Sequence, residues 1–274
     1  MGGQLFIVGT PLGNLGDFSP RGVETLKNVD FIAAEDTRVS AKLLNHFGIK
    51  KPMISYYEHN IRERGQMIID RLLTGESCAV ITDAGMPCIS DPGEDLVRLC
   101  AENGIETVSV PGPSALIAAL AASGIATGRF SFEGFLTVKK TGRFVHLEEI
   151  KNDTRTLVFY EAPHKLVQTL KDMLSVFGDR KITLAREITK LHEEFIRTSL
   201  SEALAIYDDK NPRGEYVLVL EGAQSTAADE EFSLEDAVAI AHSLMKNGMS
   251  ASAAAKDAAK QTGKKKGDIY RAVV

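Results

Sequence analysis

Four loops of the sequence carry side chains that could bind a ligand or move a proton. Each loop directly follows a short apolar run, and the four span residues 9–15, 35–38, 82–93 and 110–115. In an open α/β sheet, ligands bind beyond the carboxyl ends of the strands. The spacing therefore predicts that these loops contribute to one binding site.

The loop at residues 82–93 contains the most informative acidic residues. Asp83 follows a buried strand, where a carboxylate can hold a ribose diol or an amine, so we predict that Asp83 contacts the ligand. Asp91 precedes Pro92, and we predict that Asp91 caps the next helix with Pro92 in its first turn. Cys88 has no His or Asp at a spacing that would activate a thiol, so we interpret it as a packing residue.

The other three loops each leave two interpretations open. Glu35, Asp36 and Arg38 form either a structural charge network or a cluster that faces a substrate. The loop at 9–15 matches neither a dinucleotide-binding motif nor a P-loop, so it is a tight turn or a close approach to another ligand. The loop at 110–115 ends at a helix N-terminus whose amides could bind a carboxylate, or it is a bend between domains.

Alternating strand and helix signals predict a mainly parallel sheet in the first half of the chain. The predicted strands are 5–8, 30–34, 78–82 and 106–110, and the predicted helices are about 20–27, 39–47, 60–73 and 92–103. After residue 112 the strands come closer together, at 130–135, 156–160, 182–186, 194–198 and 216–221. This rhythm indicates a second, mixed and partly antiparallel sheet.

The predicted fold class is α/β, in three parts. An N-terminal α/β domain at 1–115 is followed by a second α/β domain at 116–224, and a small helical basic region occupies 225–274. Residues 224–229 have the composition of a linker. The three short helices predicted after it resemble a helix-turn-helix arrangement.

Charge is distributed unevenly along the chain. The net charge is -5, whereas the segment from Lys246 to Val274 contains seven Lys or Arg and two Asp. The remaining chain is therefore strongly acidic. A basic tail on an acidic body is either an electrostatic contact for a polyanion or a solvated helical surface.

Composition argues against several classes of protein. No segment approaches the roughly 20 apolar residues that span a membrane. The three Cys residues form no CxxC pair, which disfavours a disulfide framework or a zinc site and favours a reducing compartment. The N-terminal residues lack the basic segment of a signal peptide. We therefore expect a cytoplasmic protein with no membrane contact.

The four loops and several later segments together resemble a known superfamily. The segments are GTPLGNL, EDTR, DAGMP followed by SDPG, VPGPSA, YEAPHKL and RGEYVLVLEG. Over about residues 4–222, this pattern resembles the tetrapyrrole-methylase superfamily of S-adenosylmethionine-dependent methyltransferases, and most closely its ribosomal RNA branch. The resemblance implies a homodimer that methylates the ribose 2′-hydroxyl of a cytidine in small-subunit (16S) ribosomal RNA, within the 30S particle. The alternative is methylation of a tetrapyrrole or corrin ring, although those branches carry a GDP-type motif where this chain has Thr82-Asp83-Ala84.

The same resemblance implies which residues hold the cofactor and which act on the substrate. S-adenosylmethionine would lie in a cleft between the two α/β domains, against Leu12, Asp83, Met86, Ser114 and Ala115, with Thr82, Ala84 and Tyr160 nearby. No metal is implied, but a positioned base would help the hydroxyl to lose its proton. The candidates for catalysis or substrate positioning are Glu35, Asp36, Arg38, Glu161, His164, Arg186, Glu187 and Lys190. Because RNA recognition needs positive charge, the candidates for RNA contact are Lys264, Lys265, Lys266 and Arg271.

Overall fold

A computed structural model describes residues 3–207, 211–224 and 232–274. The chain divides into two compact units, Met1–Ala223 and Gln224–Val274. The predicted linker lies outside the described residues, apart from Gln224. None of the helices described is long and apolar enough to cross a membrane. The finer domain limits at 115 and 224 stay predictions.

Five strands form the first sheet of the larger unit. They are β1 (Gln4–Val8), β2 (Phe31–Ala34), β3 (Met53–Ser55), β4 (Cys78–Ile81) and β5 (Glu106–Val110). All pairs are parallel, in the order β3-β2-β4-β1-β5. Every residue of β2 and β4 is buried, as expected of strands covered on both faces. The predicted parallel sheet is confirmed.

Four helices connect these strands and cover the sheet. They are α1 (Pro20–Asn28), α2 (Thr37–His46), α3 (Ile61–Leu73) and α4 (Glu94–Glu102). The starts of two helices follow from local sequence: Ser19 caps α1 ahead of Pro20, and Asp36 caps α2. Because side chains alternate along a strand, Ile32 and Phe31 enter separate hydrophobic clusters on the two faces.

A second sheet of five strands follows in the same unit. Its strands are β6 (Phe130–Phe135), β7 (Thr156–Glu161), β8 (Lys181–Arg186), β9 (Glu194–Ser199) and β10 (Tyr216–Leu220). The order is β6-β7-β10-β8-β9, in which only β6 and β7 are parallel. Its helices are α5 (Ala115–Ser123), α6 (Lys140–Ile150), α7 (Pro163–Phe177) and α8 (Leu200–Tyr207). The predicted mixed sheet is confirmed.

Helix α5 links the two sheets, because it follows the last strand of the first sheet but packs on the second. Leu116, Ala119 and Leu120 lie in one hydrophobic cluster with Val158 and Val217. The cluster also contains residues of β8, so α5 covers the centre of the second sheet. The chain therefore crosses from one sheet to the other within the loop at 110–115.

Two elements are absent from the sequence prediction for physical reasons. Strand β3 has three half-buried residues, too few to show an alternating pattern. Helix α6 buries Arg143 and Leu147, and a buried arginine breaks the apolar periodicity by which an amphipathic helix is recognised.

The smaller unit is a three-helix arrangement with an alanine-rich core. Its helices are α9 (Leu234–Lys246), α10 (Ala251–Thr262) and α11 (Lys266–Val273). Ser233 caps α9 through a reciprocal capping box with Asp236, and Ser250 caps α10. Ile269 packs against alanines of the two preceding helices, so small side chains allow close helix packing.

Candidate active site

Backbone contacts hold three of the four sequence-predicted loops together at the carboxyl edge of the first sheet. Thr10 and Gly85 form an isolated β-bridge. The distance from Thr10 N to Gly85 O is 2.9 Å, and that from Gly85 N to Thr10 O is 3.1 Å. A Cβ on Gly9 would lie 2.7 Å from the Cα of Gly112, so these two turns can meet only because both residues are glycine. The glycines that made the loops conspicuous thus serve to lock them against one another.

A cavity of about 460 Å³ opens between these loops and the second sheet. This volume lies within the range of small-molecule sites. Its lining includes seven of the predicted cofactor residues: Leu12, Asp83, Ala84, Met86, Ser114, Ala115 and Tyr160. It also includes three of the predicted catalytic residues: Glu35, Glu161 and Lys190. The structure therefore brings most of the predicted site residues together.

Thr82, Arg38 and Glu187 do not line this cavity. Thr82 is buried beneath it, where its carbonyl oxygen accepts a hydrogen bond from Thr10 Oγ1 at 3.1 Å. The Arg38 side chain is 89% exposed and pairs with Asp36 at 2.6 Å. Glu187 accepts a hydrogen bond from Lys190 Nζ at 3.0 Å. These residues support the loops around the cavity.

Three more polar candidates lie outside the cavity lining. Asp36 caps α2, and hydrogen bonds from Arg38 lower its pKa to about 2, which makes it a weak proton acceptor. Arg186 donates to the backbone carbonyl of Arg213 at 2.7 Å. His164 is exposed in the first turn of α7, outside the cavity lining.

Three carboxylates at one end of the cavity interact electrostatically, those of Glu35, Asp83 and Asp91. The Asp36 amide donates to Asp83 Oδ1, and the Asp83 amide donates to Glu35 Oε2, both at 3.3 Å. Burial raises the pKa of Glu35 and of Asp83, because withdrawal from water disfavours a charged carboxylate. Asp91 joins this group, since Glu35 and Asp83 both act on it through their charge.

The predicted helix-capping role of Asp91 is wrong. Helix α4 begins at Glu94, with Gly93 in the capping position at φ 130° and no side-chain cap. Cys88 and Ser90 also have positive φ angles, 70° and 62°, in the left-handed region. The loop therefore turns sharply before Asp91 instead of running directly into the helix. Asp91 consequently lines the cavity, where burial and the neighbouring carboxylates raise its pKa to about 7. Cys88 packs at the edge of the first-sheet core, which agrees with the interpretation as a packing residue.

Glu161 and Tyr160 lie at the end of β7 on the opposite wall. Glu161 is 2% exposed and accepts hydrogen bonds from the Ala162 amide and Thr169 Oγ1, at 2.7 and 2.5 Å. Lys165 Nζ lies 3.1 Å from Oε1 of the same carboxylate. Both oxygens of Glu161 are therefore engaged, which suits a structural role better than proton transfer. The Tyr160 hydroxyl accepts from the Leu116 amide at 3.2 Å and so ties β7 to α5.

Lys190 supplies a cation to the same cavity and is held by two carboxylates. Its Nζ lies 3.0 Å from Glu187 Oε1 and 2.9 Å from Glu215 Oε2. The contact with Glu215 could not be read from the sequence, because Glu215 lies 25 residues further along the chain.

Several residues of the cavity lining were not predicted from the sequence. Besides Asp91 and Glu215, these include Ile89, Ser90, Phe135, Ile188, Tyr216 and Val217. Most are apolar or belong to the second sheet, where no charged motif marks them. Asp91 is the missed carboxylate that the sequence could have indicated, because it lies in a loop rich in proline and glycine.

The predicted RNA contacts lie in the smaller unit. Lys264 and Lys265 connect α10 to α11, and Lys266 begins α11. Lys266 Nζ donates to Ser252 Oγ at 3.2 Å, and Arg271 pairs with Asp268 at 2.5 Å.

Within the described residues, no group of three His, Cys, Asp or Glu could hold a metal ion.

Comparison with known proteins gives a consistent set of relatives. Residues 4–204 match the family described as Tetrapyrrole (Corrin/Porphyrin) Methylases. The chain is 46% identical over 271 residues to a ribosomal RNA small subunit methyltransferase I from Synechocystis sp., covering 98% of this chain and 96% of the relative. It is 48% identical over 222 residues to the protein of the same name from Thermotoga maritima, covering 81% of this chain and 100% of that one.

A solved structure shares the fold at low sequence identity. Uroporphyrin-III C-methyl transferase from Thermus thermophilus, complexed with S-adenyl homocysteine, superposes with a TM-score of 0.58 at 20% identity. The match covers 79% of this chain and 97% of that chain. At this identity the likeness concerns the fold, and it bears out the two-sheet α/β architecture.

Proposed function

Because the chain belongs to the tetrapyrrole (corrin/porphyrin) methylase family, and within it to the ribosomal RNA small subunit methyltransferases I, we propose that it methylates small-subunit ribosomal RNA. The protein is an S-adenosylmethionine-dependent methyltransferase that acts on the ribose 2′-hydroxyl of a cytidine in 16S rRNA. The tetrapyrrole alternative has less support, because the relatives with the RNA name are more than twice as similar in sequence as the uroporphyrin enzyme.

The observation that carries the cofactor part of this proposal is the charge of the cavity. Glu35, Asp83 and Asp91 concentrate negative charge at one end, and such a site favours a ligand with a sulfonium and an ammonium group. Apolar side chains, including Leu12, Met86 and Val217, cover other parts of the lining and suit a purine ring. The residues present therefore fit S-adenosylmethionine.

We assign the cofactor contacts on this basis. Asp83 would hold ribose hydroxyls or the amino group, and the amides at the start of α5, from Ser114 and Ala115, would hold the carboxylate. Leu12, Ala84, Met86 and Tyr160 would surround the remaining surface, above the buried Thr82. The bound cofactor supplies an electrophilic methyl group, so this chain must orient the hydroxyl and remove its proton.

Among the carboxylates, Asp91 is best suited to accept the proton of the hydroxyl. A general base is most effective when its pKa lies near the working pH, and the pKa of Asp91 is raised to about 7. Glu161 is fully hydrogen-bonded, and Glu187 is paired with Lys190. Glu35 would act through its charge on Asp91, the Lys190 cation in the cavity would orient the ribose of the substrate, and the peripheral Arg38 would orient its phosphate.

The substrate surface and the assembly are parts of the same proposal. Lys264, Lys265, Lys266 and Arg271 would contact RNA phosphates, because phosphate neutralisation dominates the affinity for nucleic acids. The substrate would be the rRNA of the 30S particle, and the protein would act in the cytoplasm as a homodimer. Light scattering at micromolar concentration tests the dimer, and a monomer would count against it.

The reaction itself is tested by mass mapping of nucleosides. 30S particles from cells that lack this protein are incubated with the purified chain and S-adenosylmethionine, and their rRNA is then digested and analysed. We expect one new 2′-O-methylcytidine, absent without enzyme. Methylation of a base instead of a ribose, or of a porphyrin and not of RNA, would refute the proposal.

A further inference from the structure

Phe135 is a large apolar side chain that lies unprotected at the rim of the cavity. It is 54% exposed and belongs to the cavity lining. Of the three aromatic residues that line the cavity, Tyr216 is 3% exposed and Tyr160 is half-buried, so Phe135 offers the largest free ring face. An exposed aromatic ring at the mouth of a binding site is where a planar ligand group would stack.

A β-bulge directs this ring toward the cavity. Phe132 pairs with Val158 and Gly134 pairs with Phe159, so Glu133 is an extra residue in β6. Gly134 has φ +63°, a conformation in which a larger residue would be strained. Bulges of this kind re-aim a side chain beside functional sites.

The consequence of the bulge is visible in the ring contacts. Side chains three residues apart in a regular strand point to opposite faces. Here the rings of Phe132 and Phe135 both contact Tyr160, with centroids 4.9 and 5.5 Å away. If β6 were a regular strand from Phe132 to Phe135, with no bulge, Phe135 would point away from Tyr160 and from the cavity.

Two neighbouring side chains contact the ring and support it. Tyr160 packs against it at an interplanar angle of 60° and is itself fixed by the Leu116 amide. Lys165 Nζ lies 5.6 Å from the ring centroid and is anchored to Glu161. A ring fixed in this way loses little conformational freedom when a ligand stacks on its open face.

The neighbourhood of Phe135 includes the proposed base and two further cations. A Cβ on Gly134 would lie 3.5 Å from Ser90 Oγ, so this end of β6 adjoins the loop that carries Asp91. Lys139 and Lys140 follow at the exposed start of α6, where they can meet phosphates.

We infer that Phe135 is the stacking platform for a nucleobase of the RNA beside the methylated ribose. This inference rests on the proposed function and names the part of the site that receives the nucleoside. A ribose hydroxyl can enter a cavity of this size only if its nucleotide leaves the base stack. Single-stranded and looped RNA bases are held on aromatic side chains, and Phe135 with its flanking cations provides that chemistry.

Substitution of Phe135 tests the inference by RNA binding, independently of turnover. The variants are Phe135→Ala, the conservative Phe135→Tyr, and the control Phe130→Ala, which removes another exposed ring from the same strand but outside the cavity lining. The probe is purified 30S particles from cells lacking this protein, with affinity measured by filter binding. We expect Phe135→Ala to weaken binding about 5- to 100-fold, the range for loss of one base–aromatic stack.

Two further measurements separate stacking from other roles of the ring. Affinity for S-adenosylmethionine by calorimetry and oligomeric state by light scattering should both stay as in the wild type. Phe135→Tyr should bind RNA within a few-fold of the wild type, and Phe130→Ala should match it.

Three outcomes overturn the inference while the proposed function stands. These are equal RNA affinity of Phe135→Ala and Phe130→Ala, a loss of cofactor affinity as large as the loss of RNA affinity, and dissociation of a dimer by Phe135→Ala. The first outcome would show that no base stacks on Phe135. The second would show that the ring contacts the cofactor, and the third that it lies in a contact between subunits. A wild-type chain that does not methylate these particles would instead refute the proposed function, and the platform with it.

Discussion

Replacing Asp91 by asparagine should stabilise the folded protein while removing its activity. The pKa of Asp91 is raised from 3.8 to about 7, first by burial and then by the charges of Glu35 and Asp83. The folded state therefore holds a proton that the unfolded chain releases between these two values. Stability linked to this group is present at low pH and is lost as the pH rises through about 7.

The size of the effect follows from that shift. Each pKa unit corresponds to about 1.4 kcal/mol, so the charged carboxylate costs at most about 4 kcal/mol above neutral pH. Asp91 stays partly in contact with water, and solvent screening reduces the expected gain for Asp91→Asn to about 1–2 kcal/mol. The gain should grow between pH 5 and pH 8, because the wild type becomes charged over this interval.

Urea unfolding at pH 5 and pH 8 measures the stability, and methyl transfer to 30S particles measures the activity. We expect a loss of roughly 100- to 10,000-fold in turnover, the usual contribution of a general base. For the wild type, turnover should fall as the pH drops below about 7, because Asp91 gains a proton. Glu94→Gln is the matched control, since Glu94 is an exposed carboxylate three residues away and outside the cavity lining. Unchanged turnover, or destabilisation of Asp91→Asn at pH 8, would refute the assignment.

Three further predictions concern other parts of the chain. Asp83→Ala should weaken S-adenosylmethionine binding at least tenfold by calorimetry with the fold intact, and near-normal affinity would remove Asp83 from the cofactor site. The triple variant Lys264/Lys265/Lys266→Ala should lower the slope of log affinity for RNA against log salt by roughly 2–3, since each phosphate contact contributes about 0.7–0.9; an equal slope would leave the tail with a structural role. Arg143→Ala should lower the free energy of unfolding by about 3–5 kcal/mol, measured by chemical unfolding, because the buried carboxylate of Asp172, 2.6 Å away, loses its cation. A loss below about 1 kcal/mol would mean that water hydrates this carboxylate in the variant.

The sequence was sufficient for the elements that depend on local pattern. Buried strands such as β4 are continuous apolar runs, and the glycine- and proline-rich loops after them identify the carboxyl edge of the first sheet. Prediction failed where tertiary contacts decide the outcome. Asp91 has the sequence context of a helix cap, but the left-handed turns at Cys88 and Ser90 move it into the cavity. Phe135 reads as an ordinary strand residue, because the extra residue in β6 is defined only by its pairing with β7.

The extent of the chain's relatives limits what the basic tail can do. The Thermotoga maritima relative is matched over its entire length, yet about a fifth of this chain has no counterpart in it. The smaller unit, Gln224–Val274, is of that size. Because a relative of the same name is shorter by about this length, we propose that the tail adds affinity for RNA and leaves the chemistry unchanged.

The acidic cavity also constrains how RNA can enter. Carboxylates at Glu35, Asp83 and Asp91 attract a cationic cofactor but repel phosphate, so the RNA backbone should stay outside while one nucleoside is inserted. This division of charge requires a neutral anchor at the rim and cations beyond it, and Phe135 and the lysines at the start of α6 have those properties. Because the negative charge serves the cofactor, reversing it should harm cofactor binding before it helps RNA. The site is therefore better described as a cofactor cavity with a nucleoside entrance than as a groove for a nucleic-acid strand.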